Sequence, residues 1–284
     1  MGNFFKTIEA QTKNCAFNNV EKKSFKLGGS IPNNILDIYP SKDKTAVGYI
    51  FVPGGYWQAS NHRAHSFVGE QVMKFAHANF GIVSYEVSPK QNIKSQIEVT
   101  KEAIEKFCKE LPECRAIVLA GHSAGAHLIT MALESIALKI PIRQIFLISG
   151  IYDLVPVTKM SVMNNPDLSM SAGEVIDISP INKIAKIGKS ISNQANISKS
   201  REDNDIGCAC TVNLLVGEYE SNEFKRQSKD FRKRLLEVND KLGVEYEEIM
   251  GVDHFDEIEN LYFSDYRVTQ QIIRACGGRM SRFK

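Results

Sequence analysis

RAIVLA-GHSAG-AHLITMALESIALK, residues 115–139, decides the fold. Arg115 to Ala120 is an apolar, β-branched run that predicts a strand, and Ala126 to Lys139 predicts a helix. Between them, Gly121-His122-Ser123-Ala124-Gly125 has the G-x-S-x-G spacing of a nucleophile elbow. The turn is tight, so the two glycines keep side chains out of the strand–helix crossing and leave Ser123 exposed as a candidate nucleophile. The amide of Ala124, at the positive end of the following helix, is aimed where an oxygen becomes negative during acyl transfer.

The same alternation extends outward in both directions. Ala46 to Val52, Gly81 to Val87, Arg143 to Ser149 and Val212 to Val216 read as strands, and Glu245 to Met250 as a last one. Ile93, Ile97, Ile104 and Phe107 recur near a 3.6-residue period, as do Phe224, Phe231, Leu235 and Val238. Strands alternating with amphipathic helices predict an α/β fold, a mostly parallel sheet with helices on both faces. Residues 1–284 are expected to form one domain. Residues 155–207 break the rhythm with Pro156, Asn164-Asn165-Pro166 and Ser179-Pro180, so they are expected to form a lid or cap insertion.

Composition narrows the partners. Thirty-five basic against 33 acidic residues leave a charge of +2, which gives no footprint for nucleic acid or an anionic membrane surface. No apolar run reaches the length of a membrane span. The first fourteen residues lack the charged-then-apolar pattern of a secretory leader. Six cysteines are scattered, with only Cys208 and Cys210 close together, so reduced thiols in a cytoplasmic protein are expected. No metal and no cofactor are expected.

Two further segments carry chemistry. Pro53-Gly54-Gly55-Tyr56-Trp57 follows a predicted strand, and its adjacent glycines let backbone N–H groups approach a ligand closely. Gly54, Gly55 and Tyr56 are therefore candidate oxyanion-hole donors with Ala124. Tyr56 and Trp57 are candidates for an aromatic substrate wall. Gly251-Val252-Asp253-His254-Phe255 follows the last predicted strand, where the Ser–acid–His order of such folds places the base, so His254 is the candidate. His62, His65 and His77 are placed on a helix before the nucleophile, and His122 and His127 in contacts beside it. The acid belongs after VNLLV, in Gly217-Glu218-Tyr219-Glu220; the residues themselves leave Glu218 and Glu220 equal.

Together these segments resemble the arylformamidase (kynurenine formamidase) branch of the α/β-hydrolases. The matching strings are PGGYW (53–57), GHSAGAHL (121–128), YDL (152–154), GEYESNEFKRQS (217–228) and DHFDEIENL (253–261). The resemblance puts Glu220 at the acid position. It implies a Ser123–Glu220–His254 triad that hydrolyses N-formyl-L-kynurenine to kynurenine and formate in tryptophan breakdown. The partner expected is a small molecule, N-formylkynurenine or a related aryl formamide or ester; a homodimer of the chain is a separate expectation. Pro53 stands where the family has His, and Asn222 where Pro is usual. A broad carboxylesterase for small aryl or acyl esters is the alternative, with a non-catalytic binding protein third.

Overall fold

Strands buried on both faces can be read as apolar runs, and such runs supply most of the six strands that form the parallel part of the sheet. These are β3 (Gly48–Val52), β4 (Asn79–Ser84), β5 (Ile117–His122), β6 (Ile142–Ile148), β7 (Thr211–Gly217) and β8 (Gly243–Ile249). The computed structural model describes residues 2–15, 20–29, 31–59, 62–159, 168, 170–200 and 210–279. Among them the sheet has eight strands in the order β1-β2-β4-β3-β5-β6-β7-β8. Two strands at one edge were not anticipated, β1 (Lys23–Lys26) and β2 (Ile35–Tyr39), both joined antiparallel. The α/β-hydrolase arrangement expected from the sequence is present.

Alternate side chains of each strand feed two cores. Ile50, Val52 and Leu119 point to the face covered by α3 (Ile93–Glu110), α4 (Ala124–Ala132) and α7 (Asn222–Val238). Tyr49, Phe51 and Val118 point to the other face, where α2 (Glu70–Ala76) packs against α9 (Arg267–Ala275). α3 begins at Asn92, whose side chain accepts a hydrogen bond from Ser95 N–H at 2.9 Å.

The described part of 155–207 supplies helices beside the sheet. α5 (Ala172–Asp177) leads into α6 (Ile184–Ser200), which packs on β6 and α7 as the crossover helix between β6 and β7. Ile187 and Ile191 bury that contact. Residues 160–167 and 201–209, including Cys208, lie outside the described residues. No described helix is long and apolar enough to cross a membrane.

From β3 the chain passes to β4 on one side and then to β5 on the other. The crevice at the carboxyl ends of β3 and β5 is thus a topological switch point, where ligands bind in open α/β sheets. The loops leaving these two strands are PGGYW and GHSAG.

Candidate active site

At the end of β5 the backbone of Ser123 is forced to φ 53°, ψ −118°, outside the comfortable regions for a side-chain-bearing residue. Close packing imposes this: a Cβ on Gly125 would lie 2.1 Å from the carbonyl oxygen of Val52. α4 therefore starts hard against β3, and its first residue, Ala124, keeps an N–H with no partner among the described residues.

The loop after β3 takes an equally unusual path. Gly55, Tyr56 and Trp57 all have positive φ, at 129°, 50° and 59°. A Cβ on Gly55 would lie 1.7 Å from the Ala59 carbonyl oxygen, so only glycine fits. Gln58 and Ala59 N–H both donate to the Gly55 carbonyl, at 3.0 and 2.9 Å. The N–H groups of Gly54, Gly55 and Tyr56 make no hydrogen bond among the described residues. Pro53 removes a histidine side chain but not the anchoring. Its carbonyl accepts from Tyr85 Oη at 2.9 Å, while the Trp57 carbonyl accepts from Ser88 N–H at 2.9 Å and Gln96 Nε2 at 3.1 Å.

Trp57 corrects the expectation of a substrate wall. Its side chain is fully buried and turned away, donating Nε1–H to His127 Nδ1 at 3.1 Å. Indole can only donate, so Nδ1 must accept and the His127 proton sits on Nε2, which gives it to the Ile178 carbonyl at 2.8 Å. Burial holds His127 down to about 4, so the ring is neutral.

His254 leaves the loop after β8 and meets Glu220 from the loop after β7, with Nδ1 2.5 Å from Oε2. Burial pushes the Glu220 carboxyl up, but the hydrogen bond and charge of His254 outweigh it, with help from the Ser221 N–H and the Ser149 hydroxyl, and hold it below its ordinary value. Glu218, the rival acid, is occupied elsewhere: its Oε2 accepts from Gly251 N–H at 2.8 Å. Asp253 accepts from the Phe255 and Asp256 N–H groups and so starts α8 (Asp256–Glu259). Asp153 accepts from Val155 N–H at 2.9 Å, a turn contact.

These groups open into one cavity of about 400 Å³. Ser123, His254, Glu220, Gly54, Gly55 and Tyr56 line it with His122, Gln58, Ala59, Phe224 and Phe255. No hydrogen bond joins Ser123 Oγ to His254 among the described residues; such contacts are often long before substrate binds. Several lining residues had no functional reading in the sequence, Phe4, Phe5 and His65 among them. Phe4 and Phe5 come from α1 (Gly2–Lys13), and Phe4 lies against Phe255 and His65, with ring centroids 4.9 and 6.0 Å away. His65 stands not on a helix but in the turns before Ser66–Gly69, and His62 likewise, while His77 terminates α2 at φ 52°. The doubled phenylalanine of Phe4-Phe5 was the available signal. No described residue of 155–207 lines the cavity.

A larger depression of about 660 Å³ lies at the α3–α4–α5 surface, lined by Lys94, Glu98, Glu134 and Lys186. It holds no nucleophile–base pair. His122, His254 and Glu257 have ligand atoms within 4.8 Å of one another. Glu257 is held 2.6 Å from Ser149 Oγ, and burial pushes its carboxyl well above the ordinary range, which disfavours the ionised form that a cation needs.

A serine on a strained turn, a carboxylate-held imidazole and unspent amides in one aromatic cavity are equipped for acyl transfer. Known proteins agree on the scaffold. Residues 49–255 match the family model for the alpha/beta hydrolase fold. The kynurenine formamidase of Salmo salar is 29% identical over 85% of this chain and 78% of its own length. That of Danio rerio is 27% identical over 88% and 80%. A solved esterase from the archaeon Pyrobaculum calidifontis superposes with a TM-score of 0.65 at 16% identity, covering 97% of this chain and 91% of its own. The chain belongs to the alpha/beta hydrolase fold family, as a hydrolase similar to the kynurenine formamidases.

Proposed function

We propose that the chain hydrolyses the formamide of N-formyl-L-kynurenine, releasing kynurenine and formate in tryptophan breakdown. The observation that carries this is the 2.5 Å Glu220–His254 pair opening on the same cavity as Ser123 and the unspent amides of Gly54, Gly55 and Tyr56. Likeness to curated kynurenine formamidases supplies the substrate class.

Ser123 Oγ attacks the formyl carbon as His254 Nε2 takes its proton, and Glu220 holds the resulting imidazolium. The carbonyl oxygen becomes an oxyanion within reach of the Ala124, Gly54, Gly55 and Tyr56 N–H groups, each donor of this kind being worth about 3–4 kcal/mol. Collapse breaks the C–N bond, and His254 returns the proton to the leaving aniline nitrogen. Water, deprotonated by the same imidazole, then attacks the formyl-serine ester and releases formate. Every proton step uses side chains of this protein.

Hydrolysis of N-formyl-L-kynurenine followed by absorbance, beside p-nitrophenyl acetate and a Ser123→Ala variant, tests the reading. Serine-dependent turnover of the formamide well above that of the ester supports it; formamide turnover that persists in pure Ser123→Ala overturns it. One observation favours a second reading, a carboxylesterase for neutral aryl esters. The described lining is mostly aromatic and includes no Lys or Arg to pair with an amino-acid carboxylate. Ester cleavage without formamide cleavage would select that reading.

A further inference from the structure

Below the Glu220–His254 pair lies a carboxyl group that the reaction just described does not use. Glu257, the second residue of α8, is 1% exposed, and its Oε2 lies 2.6 Å from Ser149 Oγ. Its Oε1 has no hydrogen-bond partner among the described residues. Ser149, just past β6, is fully buried and carries φ 41°, a conformation that serine seldom adopts. Its N–H is fixed to the Leu215 carbonyl at 2.8 Å, so its hydroxyl is held where β6 and β7 end. That hydroxyl also lies within hydrogen-bonding reach of Glu220.

A hydroxyl has one proton to give, and two carboxyl groups compete for it. Glu220 already accepts from Ser221 N–H and meets the His254 ring, whereas Glu257 Oε2 meets the Ser149 hydroxyl. With both ionised, two like charges would face each other across one hydroxyl in a buried space. The conflict vanishes if one carboxyl keeps its own proton and donates.

We propose that Glu257 is a positioning residue for the Ser123–His254–Glu220 set: as the neutral acid it donates to Ser149 Oγ, which turns the Ser149 hydroxyl onto Glu220 and fixes that carboxylate against His254. The proposal rests on the triad reading above. Glu257 is the member able to stay neutral, because burial first, then the charges of Glu220 and Asp253, raise its carboxyl well above the ordinary range, against the Ser149 hydroxyl and the Gly217 N–H. Glu220, against the imidazole, is the one held below it. The other titratable groups facing Glu257 are His122 and His254 at the ends of β5 and β8, Tyr152 after β6 and Tyr266 before α9. None of them offers a pairing cation to an ionised Glu257: burial holds His122 well below its ordinary value, and His254 Nδ1 is hydrogen-bonded to Glu220.

The test is the rate of Ser123 labelling by a fluorophosphonate as a function of pH, with Ser123→Ala as the blank and circular dichroism to certify folding. This probe needs no knowledge of the natural substrate. Glu257→Gln keeps a neutral donor to Ser149, so it should label at close to the wild-type rate at neutral pH. It should also hold that rate to more alkaline pH, where wild-type Glu257 ionises. Glu257→Leu and Ser149→Ala should label about ten- to a hundredfold more slowly when folded, the scale set by a slightly misplaced catalytic group. With any ester substrate the loss should fall on kcat and leave KM, since Glu257 does not line the cavity. A folded Glu257→Gln protein as slow as Glu257→Leu, or one whose pH profile overlays the wild type, overturns the proposal while labelling of wild-type Ser123 still upholds the triad. Wild type that takes no label at Ser123 overturns both.

Discussion

Trp57 Nε1 lies 3.1 Å from His127 Nδ1, and through that imidazole the loop after β3 is tied to the Ile178 carbonyl at the end of α5. Three elements far apart in sequence thus share two buried hydrogen bonds. Trp57→Phe keeps most of the packing but leaves a buried ring nitrogen unpaired. The expected loss is about 1–3 kcal/mol of stability, read as a lower midpoint in urea. An unchanged midpoint would mean that the pair contributes nothing net.

Glu220→Gln should leave the fold intact and lower kcat by about a hundred- to ten-thousandfold, because an amide neither stabilises the imidazolium nor enforces the required tautomer. KM should change little. Steady-state kinetics on whichever substrate the wild type turns over reads both values, and a Glu218→Gln variant, whose carboxylate only ties down Gly251, should retain nearly full kcat.

Gly55→Ala places a methyl 1.7 Å from the Ala59 carbonyl oxygen at φ 129°. The loop must then move, and with it the amides of Gly55 and Tyr56. A fall in kcat of at least about a hundredfold is expected, the size of one lost oxyanion donor. Circular dichroism should show the fold retained.

Asp37 predicts an acid-dependent loss of stability. Burial pushes its carboxyl up, but the His62 ring 3.5 Å away and hydrogen bonds from Lys22 and Ser24 together hold it well below the carboxylate range. Lys22 Nζ and Ser24 Oγ each lie 2.5 Å from it. A depressed folded-state value means that the contribution is complete above the unfolded value of about 4 and is lost as pH falls below it. Chemical denaturation from pH 7 down to 2 should therefore show Asp37→Asn less stable at neutral pH, with the gap to wild type closing on acidification. A gap that stays constant would remove the linkage.

Phe4→Ala takes away the side chain that α1 sets against Phe255 and His65. Aromatic substrates should show a raised KM with kcat less affected, since the ring borders the cavity but lies apart from the reacting groups. Acetyl esters of small alcohols, compared in the same assay, should be nearly indifferent to the change.

How much of this was legible in the sequence follows from burial. β3, β4 and β5 are buried at every position, so they read directly as apolar runs, and the elbow between β5 and α4 followed from them. β1 escaped notice because KSFK is a short, exposed edge, and β2 because Asp37 interrupts its apolar run. Its satisfaction by Lys22 and Ser24 is a tertiary fact that no periodicity shows. Ser123, His254 and the amide loop were proposed from chain order and line one cavity, while the choice of Glu220 over Glu218 needed resemblance; Glu220 is the one hydrogen-bonded to His254. Trp57 was misplaced because positive φ at three successive residues reverses which side of the loop faces the cavity. Pattern also could not show that α1 would roof the site, or that Glu257 in DHFDEIENL would point inward to Ser149.

The parallel strands all run the same way, which separates the molecule into a reacting rim and an inert one. The turn at Ser41–Thr45, with exposed Lys42 and Lys44, enters β3 from the far side of the sheet. A tether joined to either lysine would hold the protein on a bead or electrode with its cavity facing the solution. For an immobilised sensor, these are the attachment points to choose.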